Sequence, residues 1–301
     1  MTCEKVAIIG AGPTGIASAV QLKRYGLEPF LFESDQAGGL VRNAWKIENY
    51  PGFPDGISGI ELAGIMQKQL RKAGVLPIFQ RVKKLTYHHD SEQFILQTDI
   101  NNYRAGAVIV AAGTKAIRPN FVDRLPERIN KRILSEVYPL LSIAEKRIII
   151  IGAGDVGLDY TVNLAHANDV IVINRSECSQ ALPLLKNLAD KSGRISIMSN
   201  TEVRDVVETS GGRLEMSLER EGELYQIEAD YIVAAIGREP ADDFIDDEFR
   251  RYENDLIECG RLYYAGDISN GIYRQVGIAV GDGLMAAMRV FRKLKERKQC
   301  I

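Results

Sequence analysis

The sequence predicts an α/β fold of two similar domains, the second inserted into the first. Two observations carry the expectation. An apolar strand, a glycine-rich turn, a helix and a second strand succeed one another over residues 5–33 and again over residues 147–174. The chain beyond Gly260 has no counterpart in this duplication, so it returns to complete the first domain. Composition agrees: 301 residues, 46% hydrophobic and 26% charged, suit about two globular domains with well-formed cores. With 38 Lys and Arg against 40 Asp and Glu, the net charge of −2 offers no concentrated positive field, so neither nucleic acid nor a membrane is an expected partner. No apolar run reaches the roughly 20 residues that a bilayer span needs, and residues 1–5 lead into a strand rather than a signal-peptide core. A cytoplasmic protein is expected.

Taken in order, residues 5–10 read as a buried strand and 13–25 as the helix after it, closed by Gly26. A second strand, 28–33, follows. Residues 60–73 form an amphipathic helix opened by the capping-box pattern Ser58-Gly-Ile-Glu61, and the polar, alternating stretch 82–103 reads as a small antiparallel meander. The strand 107–111 ends at Ala112-Gly113. In the second copy, a strand (147–151), a helix (155–167) and a strand (169–174) precede a helix around 182–191 and strands near 195–198, 204–208, 214–219 and 225–228. Its closing strand, 231–235, ends at Ile236-Gly237. The interval from Gly10 to Gly113 exceeds that from Gly152 to Gly237 by about the length of segment 38–57, a Gly- and Pro-rich insertion serving the first copy alone. Pro119 and Pro240, just past the closing strands, mark natural boundaries and give domains of 1–117 plus 242–301 and of 118–241.

Gly10-Ala-Gly12-Pro13-Thr14-Gly15 matches G-x-G-x-x-G between strand and helix. There the first glycine permits a tight turn, the second lets a pyrophosphate approach the backbone, and the third allows close helix–strand packing, with the helix N-terminus facing the phosphates. Glu33, about 20 residues further on, can accept hydrogen bonds from an adenosine ribose, so this site suits a dinucleotide without a 2′-phosphate. Gly152-Ala-Gly154-Asp155-Val156-Gly157 has the same setting but leads to Asn174-Arg175-Ser176. A carboxylate would repel a 2′-phosphate, whereas an arginine and a hydroxyl can bind one. NADPH is therefore preferred at the second site, with NADH as the alternative and Arg175 then a solvated surface residue. Both domains are expected to be Rossmann-like, three-layer ββα dinucleotide-binding domains.

These residues resemble the flavoproteins with two dinucleotide-binding domains, the pyridine nucleotide-disulfide oxidoreductases, and within them the low-molecular-weight thioredoxin reductase branch. The resemblance spans nearly the whole chain. Glu48-Asn49-Tyr-Pro-Gly-Phe-Pro-Asp-Gly-Ile-Ser-Gly is similar to that branch's flavin-side loop, and Gly38-Gly39-Leu40 to its Gly-Gly-Gln-Leu segment, without the glutamine. Tyr264-Ala-Gly266-Asp267, Tyr273-Arg274-Gln275-Val276 and Gly281-Asp-Gly resemble the closing FAD motif. The resemblance implies FAD on the first site, at Gly10, Gly12, Pro13, Thr14, Gly15, Glu33, Gly39, Leu40, Asn49, Val82, Ala112, Gly113, Gly266, Asp267, Arg274, Gln275 and Val276, with Asp267 on the ribitol and the Arg-Gln pair beside the isoalloxazine. It implies NAD(P)H on the second, at Gly152, Gly154, Asp155, Val156, Asn174, Arg175, Ser176, Ile236 and Gly237. Hydride transfer from nicotinamide to flavin, rotation about hinges near Pro119 and Pro240, and a homodimer are further implications.

The chain also departs from the branch, which carries a C-x-x-C shortly before the second fingerprint. The matching stretch here is Ser135-Glu-Val-Tyr138, and Cys3, Cys178, Cys259 and Cys300 form no such pair. A route from flavin through a dithiol to thioredoxin is therefore not expected. The branch's NADPH-reading His-Arg-Arg-x-x-x-Arg is replaced by Asn174-Arg-Ser-Glu-Cys-Ser-Gln180. Three functional readings follow. The first is an FAD-dependent NAD(P)H oxidoreductase passing electrons to an external acceptor, a protein such as ferredoxin or a small molecule. Ferredoxin-NADP reductases of the thioredoxin reductase type resemble this arrangement, and Leu158-Asp-Tyr160 is similar to their Leu-Asp-Trp, although they carry a C-terminal extension not seen here. The second is a low-molecular-weight disulfide reductase, against which relatives of that kind place a cysteine where this chain has Thr14. The third is a flavin-bound redox sensor or a non-catalytic homologue.

The remaining residues of chemical interest read as structural. Cys3, Cys178 and Cys259 suit packing or the surface, while Cys300 sits on a tail that could reach a flavin or a partner. His166 reads as a cap or packing residue, Trp45 as packing, and Tyr138 as either a flavin shield or linker packing. His88-His89-Asp90 lies at a hairpin turn, with no third ligand to suggest a metal.

Overall fold

The computed structural model describes residues 5–299. The chain divides into two compact units, the first taking the chain up to Arg42, then Lys46–Lys115 and the chain from Glu239 on, the second taking Asn43–Trp45 and Ala116–Arg238. In the first, β1 (Val6–Ile9) is apolar and buried at every position, as a central parallel strand must be. The helix α1 (Pro13–Arg24) opens on a proline, which costs nothing where the N–H would have no helical partner. β2 (Phe30–Glu33) returns parallel to β1. α2 (Gly59–Lys72) has both arms of the capping box, Ser58 Oγ accepting from the Glu61 N–H and the Glu61 carboxylate from the Ser58 N–H. β3 (Ile78–Phe79) then pairs with β2, and β4 (Val82–His88), β5 (Gln93–Thr98) and β6 (Asn102–Ala105) form the antiparallel meander. β7 (Ala107–Val110) lies on the other side of β1, and β8 (Thr114–Ala116) leads out of the unit. Ala7, Ile9, Val108 and Val110 pack with Leu85, Phe94 and Leu96 of the meander, so alternate residues of the sheet supply this part of the core.

The second unit repeats the plan. After α3 (Glu127–Asn130) and β9 (Ile133–Leu134) come β10 (Arg147–Ile151), α4 (Asp155–Leu164), β11 (Asp169–Ile173), α5 (Pro183–Lys191) and β12 (Ile195–Met198). β13 (Thr201–Glu208), β14 (Leu214–Arg220) and β15 (Glu223–Ala229) form its antiparallel meander, followed by β16 (Tyr231–Ala234) and β17 (Arg238–Pro240). The main sheet runs β12-β11-β10-β16-β9, parallel throughout. Ile148 and Ile150 pack with Leu158 and Leu164 of α4, while Ile149 packs with Val206, Leu214 and Met216 of the meander. That alternation makes three layers: helices, parallel sheet, meander.

The returning chain adds α6 (Asp247–Arg250), α7 (Glu253–Glu258), β18 (Leu262–Tyr264) and α8 (Val276–Gln299). β18 pairs with β7, completing the order β18-β7-β1-β2-β3. The expected α/β class with two Rossmann-like domains is thus the one found. Differences are local. β3, β9, α6 and α7 were not anticipated, because elements of two to six residues carry too little periodicity. The helix expected over 155–167 stops at Leu164, which leaves His166 beyond its end. Among the described residues no helix is long and apolar enough to cross a membrane.

Candidate dinucleotide sites

In the first unit the turn between β1 and α1 is built by backbone constraint. Gly10 has φ of 103°, and a Cβ there would lie 2.3 Å from the Ala111 carbonyl oxygen. A Cβ on Gly15 would lie 1.8 Å from the Gly10 carbonyl oxygen, so α1 packs directly on the turn. At Gly12 the same position is open, its nearest neighbour being the Gly39 Cα at 4.0 Å. Backbone can therefore be approached from that side. The Glu33 carboxylate is fixed by three N–H donors, Ala11 to Oε2 at 2.9 Å and Ser34 and Asp35 to Oε1 at 2.8 and 3.0 Å. Oε1 is thereby filled, while Oε2 retains a lone pair for a hydroxyl.

The closing motif meets this turn. A Cβ on Gly266 would lie 2.1 Å from Thr14 Oγ1, and one on Gly283 would lie 2.2 Å from the Thr14 carbonyl oxygen. Asp267 occupies the 3₁₀ turn Gly266–Ile268, and Asn49 Nδ2 donates to Gln275 Oε1 at 2.9 Å just before α8. Arg274 and Val276 flank Gln275, Val82 is buried at the head of β4, Ala112 and Gly113 follow β7, and Gly39 and Leu40 open the 3₁₀ turn Gly39–Asn43. Sequence reasoning overlooked Asp282, whose Oδ2 accepts from the Gly266 N–H (3.3 Å) and from Asn270 Nδ2 (2.6 Å), and so shapes the loop that presents Asp267. Its signal was present within Gly281-Asp-Gly.

The second unit reproduces the turn. Gly152 has φ of 108°, its Cβ would lie 2.4 Å from the Ala235 carbonyl oxygen, and a Cβ on Gly157 would lie 2.0 Å from the Gly152 carbonyl oxygen. Nothing lies within 4 Å of a Cβ on Gly154. Asp155 Oδ1 accepts from the Leu182 N–H at 2.7 Å, which turns its charge toward the head of α5, and Val156 is exposed. Asn174 is buried and builds the turn: its Nδ2 donates to the Ser176 carbonyl at 2.8 Å, and its own carbonyl accepts from the Thr201 N–H. Arg175 and Ser176 are exposed beyond it. Ile236 and Gly237 follow β16, with Ile236 exposed.

A model of the pyridine nucleotide-disulphide oxidoreductase family matches residues 4–283. The chain belongs to that family. Its members are NAD(P)H-dependent flavoprotein oxidoreductases, with FAD and NADPH as cofactors, and within the family this oxidoreductase is thioredoxin reductase-like. It is 27% identical to the thioredoxin reductase of Chlamydia trachomatis over 318 residues, covering 98% of this chain and 100% of that one. Its fold is similar to that of the thioredoxin reductase of Lactococcus lactis, with a TM-score of 0.83 at 23% identity, covering 97% and 99% of the two chains. The bacillithiol disulfide reductase of Bacillus cereus shares the fold at a TM-score of 0.71 and 21% identity, over 96% and 99%.

Other residues of the oxidoreductase fall into place around these sites. Trp45 is more than packing: its N–H donates to Asp159 Oδ2 and its indole Nε1–H to His166 Nε2. His166 is accordingly an acceptor rather than a helix cap. The Tyr138 N–H donates to Asn43 Oδ1. Burial pushes the Asp159 carboxyl up to about 6, partly opposed by the Trp45 N–H. Cys178 and Cys259 are exposed free thiols, whereas Cys3 and Cys300 lie outside the described residues. Among the described residues no His, Cys, Asp and Glu cluster could hold a metal, and His89 instead packs edge-on against Tyr87 and Tyr252.

Proposed function

We propose that this oxidoreductase holds FAD on its first unit and NADPH on its second, with NADH as the alternative, and passes electrons to an external acceptor without a dithiol of the C-x-x-C type. The observation that carries the reading is the pairing of two dinucleotide turns of matched geometry with a sequence whose cysteines, Cys3, Cys178, Cys259 and Cys300, form no C-x-x-C. Both turns fit a dinucleotide on the same ground: the Cβ positions of Gly12 and Gly154 face open space, at helix N-termini where a pyrophosphate is stabilised. FAD, when bound, supplies the two-electron centre that takes hydride from the nicotinamide.

The chain's own residues bind and orient. Glu33 offers Oε2 to the adenosine ribose. Asp267, on the loop that Asp282 braces, would hold the ribitol, and the Asn49–Gln275 pair at the head of α8 would bind the flavin ring, where a helix N-terminus favours negative charge. At the second site Arg175 and Ser176, held outward by Asn174, read the 2′-phosphate. Residues 1–117 plus 242–301 and residues 118–241 serve as the two functional domains. The exposed Ile278, Leu284, Met285 and Met288 along α8 support a homodimer.

The acceptor is a protein such as ferredoxin, or a small molecule, in the cytoplasm. A disulfide acceptor is the second reading, favoured by the likeness to thioredoxin reductases, although Thr14 occupies the place of the cysteine found in low-molecular-weight disulfide reductases. A steady-state comparison of NADPH oxidation with ferredoxin and with thioredoxin or a small disulfide tests the assignment. Turnover with ferredoxin supports it; turnover only with disulfides gives the site to the second reading, and flavin binding without turnover to a sensor.

A further inference from the structure

Asn43, Ala44 and Trp45 are held within the second unit, although the residues on either side of them belong to the first. Asn43 is 2% exposed. Its Oδ1 accepts from the Tyr138 N–H at 2.9 Å, its Nδ2 donates to Glu136 at 3.4 Å, and its carbonyl accepts from Asn163 Nδ2 at 3.1 Å. Trp45 donates twice, through its N–H to Asp159 Oδ2 at 3.1 Å and through its indole Nε1–H to His166 Nε2 at 2.9 Å. Asp159 and Asn163 stand four residues apart on α4, and His166 follows just past its end, so one flank of the helix that opens at the second fingerprint, with the turn after it, grips Asn43 and Trp45.

The two ends of this grip differ in chemistry. The partners of Asn43 at Tyr138 and Asn163 are amides that do not titrate near neutrality. Both partners of Trp45 can carry a proton at the accepting atom, and the bond depends on its absence. His166 can accept at Nε2 only while that nitrogen carries no proton, and Asp159 is a good acceptor only as the carboxylate. Burial raises the Asp159 carboxyl to about 6. The charged groups around it are Glu136 and Arg238, paired at 3.5 Å beside Tyr160. Asp155 on the same helix is turned to the Leu182 N–H, and α5 beside it carries Lys186, Asp190 and Lys191. Glu145 and Lys146 lie near His166, their backbone N–H groups donating to Ala167 and Asn168. Burial and the Trp45 N–H remain the two influences on Asp159.

We propose that residues 43–45 form a proton-released strap, clasped to the flank of α4 while Asp159 and His166 are unprotonated and freed at its Trp45 end when both take up protons, with Asn43 anchored throughout. Acid would thereby loosen the segment between Leu40 and Asn49. The consequence for a flavin rests on the proposed placement of FAD; release of Trp45 does not.

Trp45 is the only tryptophan of the chain, so its emission reads the strap directly. The full-length protein, as purified with any bound flavin, is titrated from about pH 8 to about pH 5 with tryptophan emission and flavin absorbance followed together. The expected result is a red shift of emission with a midpoint near pH 6, lost in a double variant, Asp159→Asn with His166→Gln, whose amides accept at every pH. Should the double variant not fold, His166→Gln alone, at an exposed position, keeps an acceptor for the indole N–H at every pH and is expected to remove the red shift. Emission that stays flat in the wild type, or a transition unchanged in the variants, overturns the strap. Failure of the FAD assignment shows separately, as absence of flavin absorbance.

Discussion

Glu33 and Asn174 stand at equivalent ends of β2 and β11, and their side chains do opposite things. The Glu33 carboxylate collects three N–H donors and keeps one lone pair of Oε2 for a ligand. Asn174 spends its amide on the turn and leaves Arg175 and Ser176 to face outward. On the proposed placement of FAD, replacing Glu33 by Ala removes a charge-assisted bond to the ribose, about 1.5–3 kcal/mol, so the dissociation constant for flavin should rise by roughly 10- to 100-fold. Arg175→Ala should raise KM for NADPH about tenfold and leave that for NADH unchanged, as loss of one charge-assisted phosphate contact requires. Equal effects on both nucleotides would remove Arg175 from 2′-phosphate reading. Asp159 gives a pH prediction. Its carboxyl, raised from 3.8 to about 6, binds its proton more tightly in the folded state, so its contribution favours folding below about pH 3.8 and is lost as pH rises through about 6. Asp159→Asn should then be more stable than wild type at about pH 8, by on the order of 2–3 kcal/mol, and show no such gain at about pH 4, measured by denaturant unfolding. Of these residues Glu33 and Asn174 were legible in the sequence because a motif fixes their distance from the glycines. Asp159 was not, since the partner that makes it notable, Trp45, is remote in the chain.

At the scale of elements, close backbone approach decides the packing of α1 and α8. Gly283 lies where a Cβ would sit 2.2 Å from the Thr14 carbonyl oxygen, and Ser18 Oγ donates to the Gly283 carbonyl at 2.9 Å. Gly283→Ala must push the two helices apart, at a cost of about 1–3 kcal/mol, and the thermal unfolding of the variant should show a lowered Tm. Ser58→Ala, which removes the Oγ arm of the α2 capping box, should cost about 1 kcal/mol without altering flavin content. The capping box was readable because its spacing is fixed by one turn of helix. So were the meanders, whose residues alternate in polarity. The short β3 and β9 were not, because two residues owe their strand conformation to the sheet edge they complete rather than to any pattern of their own. The polar flank of Asp159 and Asn163 on α4, with His166 just past its end, gains its meaning only from residues 43–45, which are remote in the chain.

Over the whole molecule, duplication is the organising fact. The same turn, with Cβ clearances of 2.3 and 1.8 Å in one unit and 2.4 and 2.0 Å in the other, occurs twice on parallel sheets of five strands. One copy ends in the carboxylate of Glu33 and the other in Asn174 followed by Arg175, the difference on which the proposed division of two dinucleotides rests. The proposed function has electrons depart from the flavin itself, and its central claim is that a reduced pyridine nucleotide on the second unit delivers hydride to FAD on the first. An anaerobic absorbance titration of the purified holoprotein with NADPH, and in parallel with NADH, tests this most directly. The account predicts stoichiometric bleaching of the oxidised flavin band, faster with NADPH than with NADH. A flavin band that neither nucleotide bleaches would contradict it.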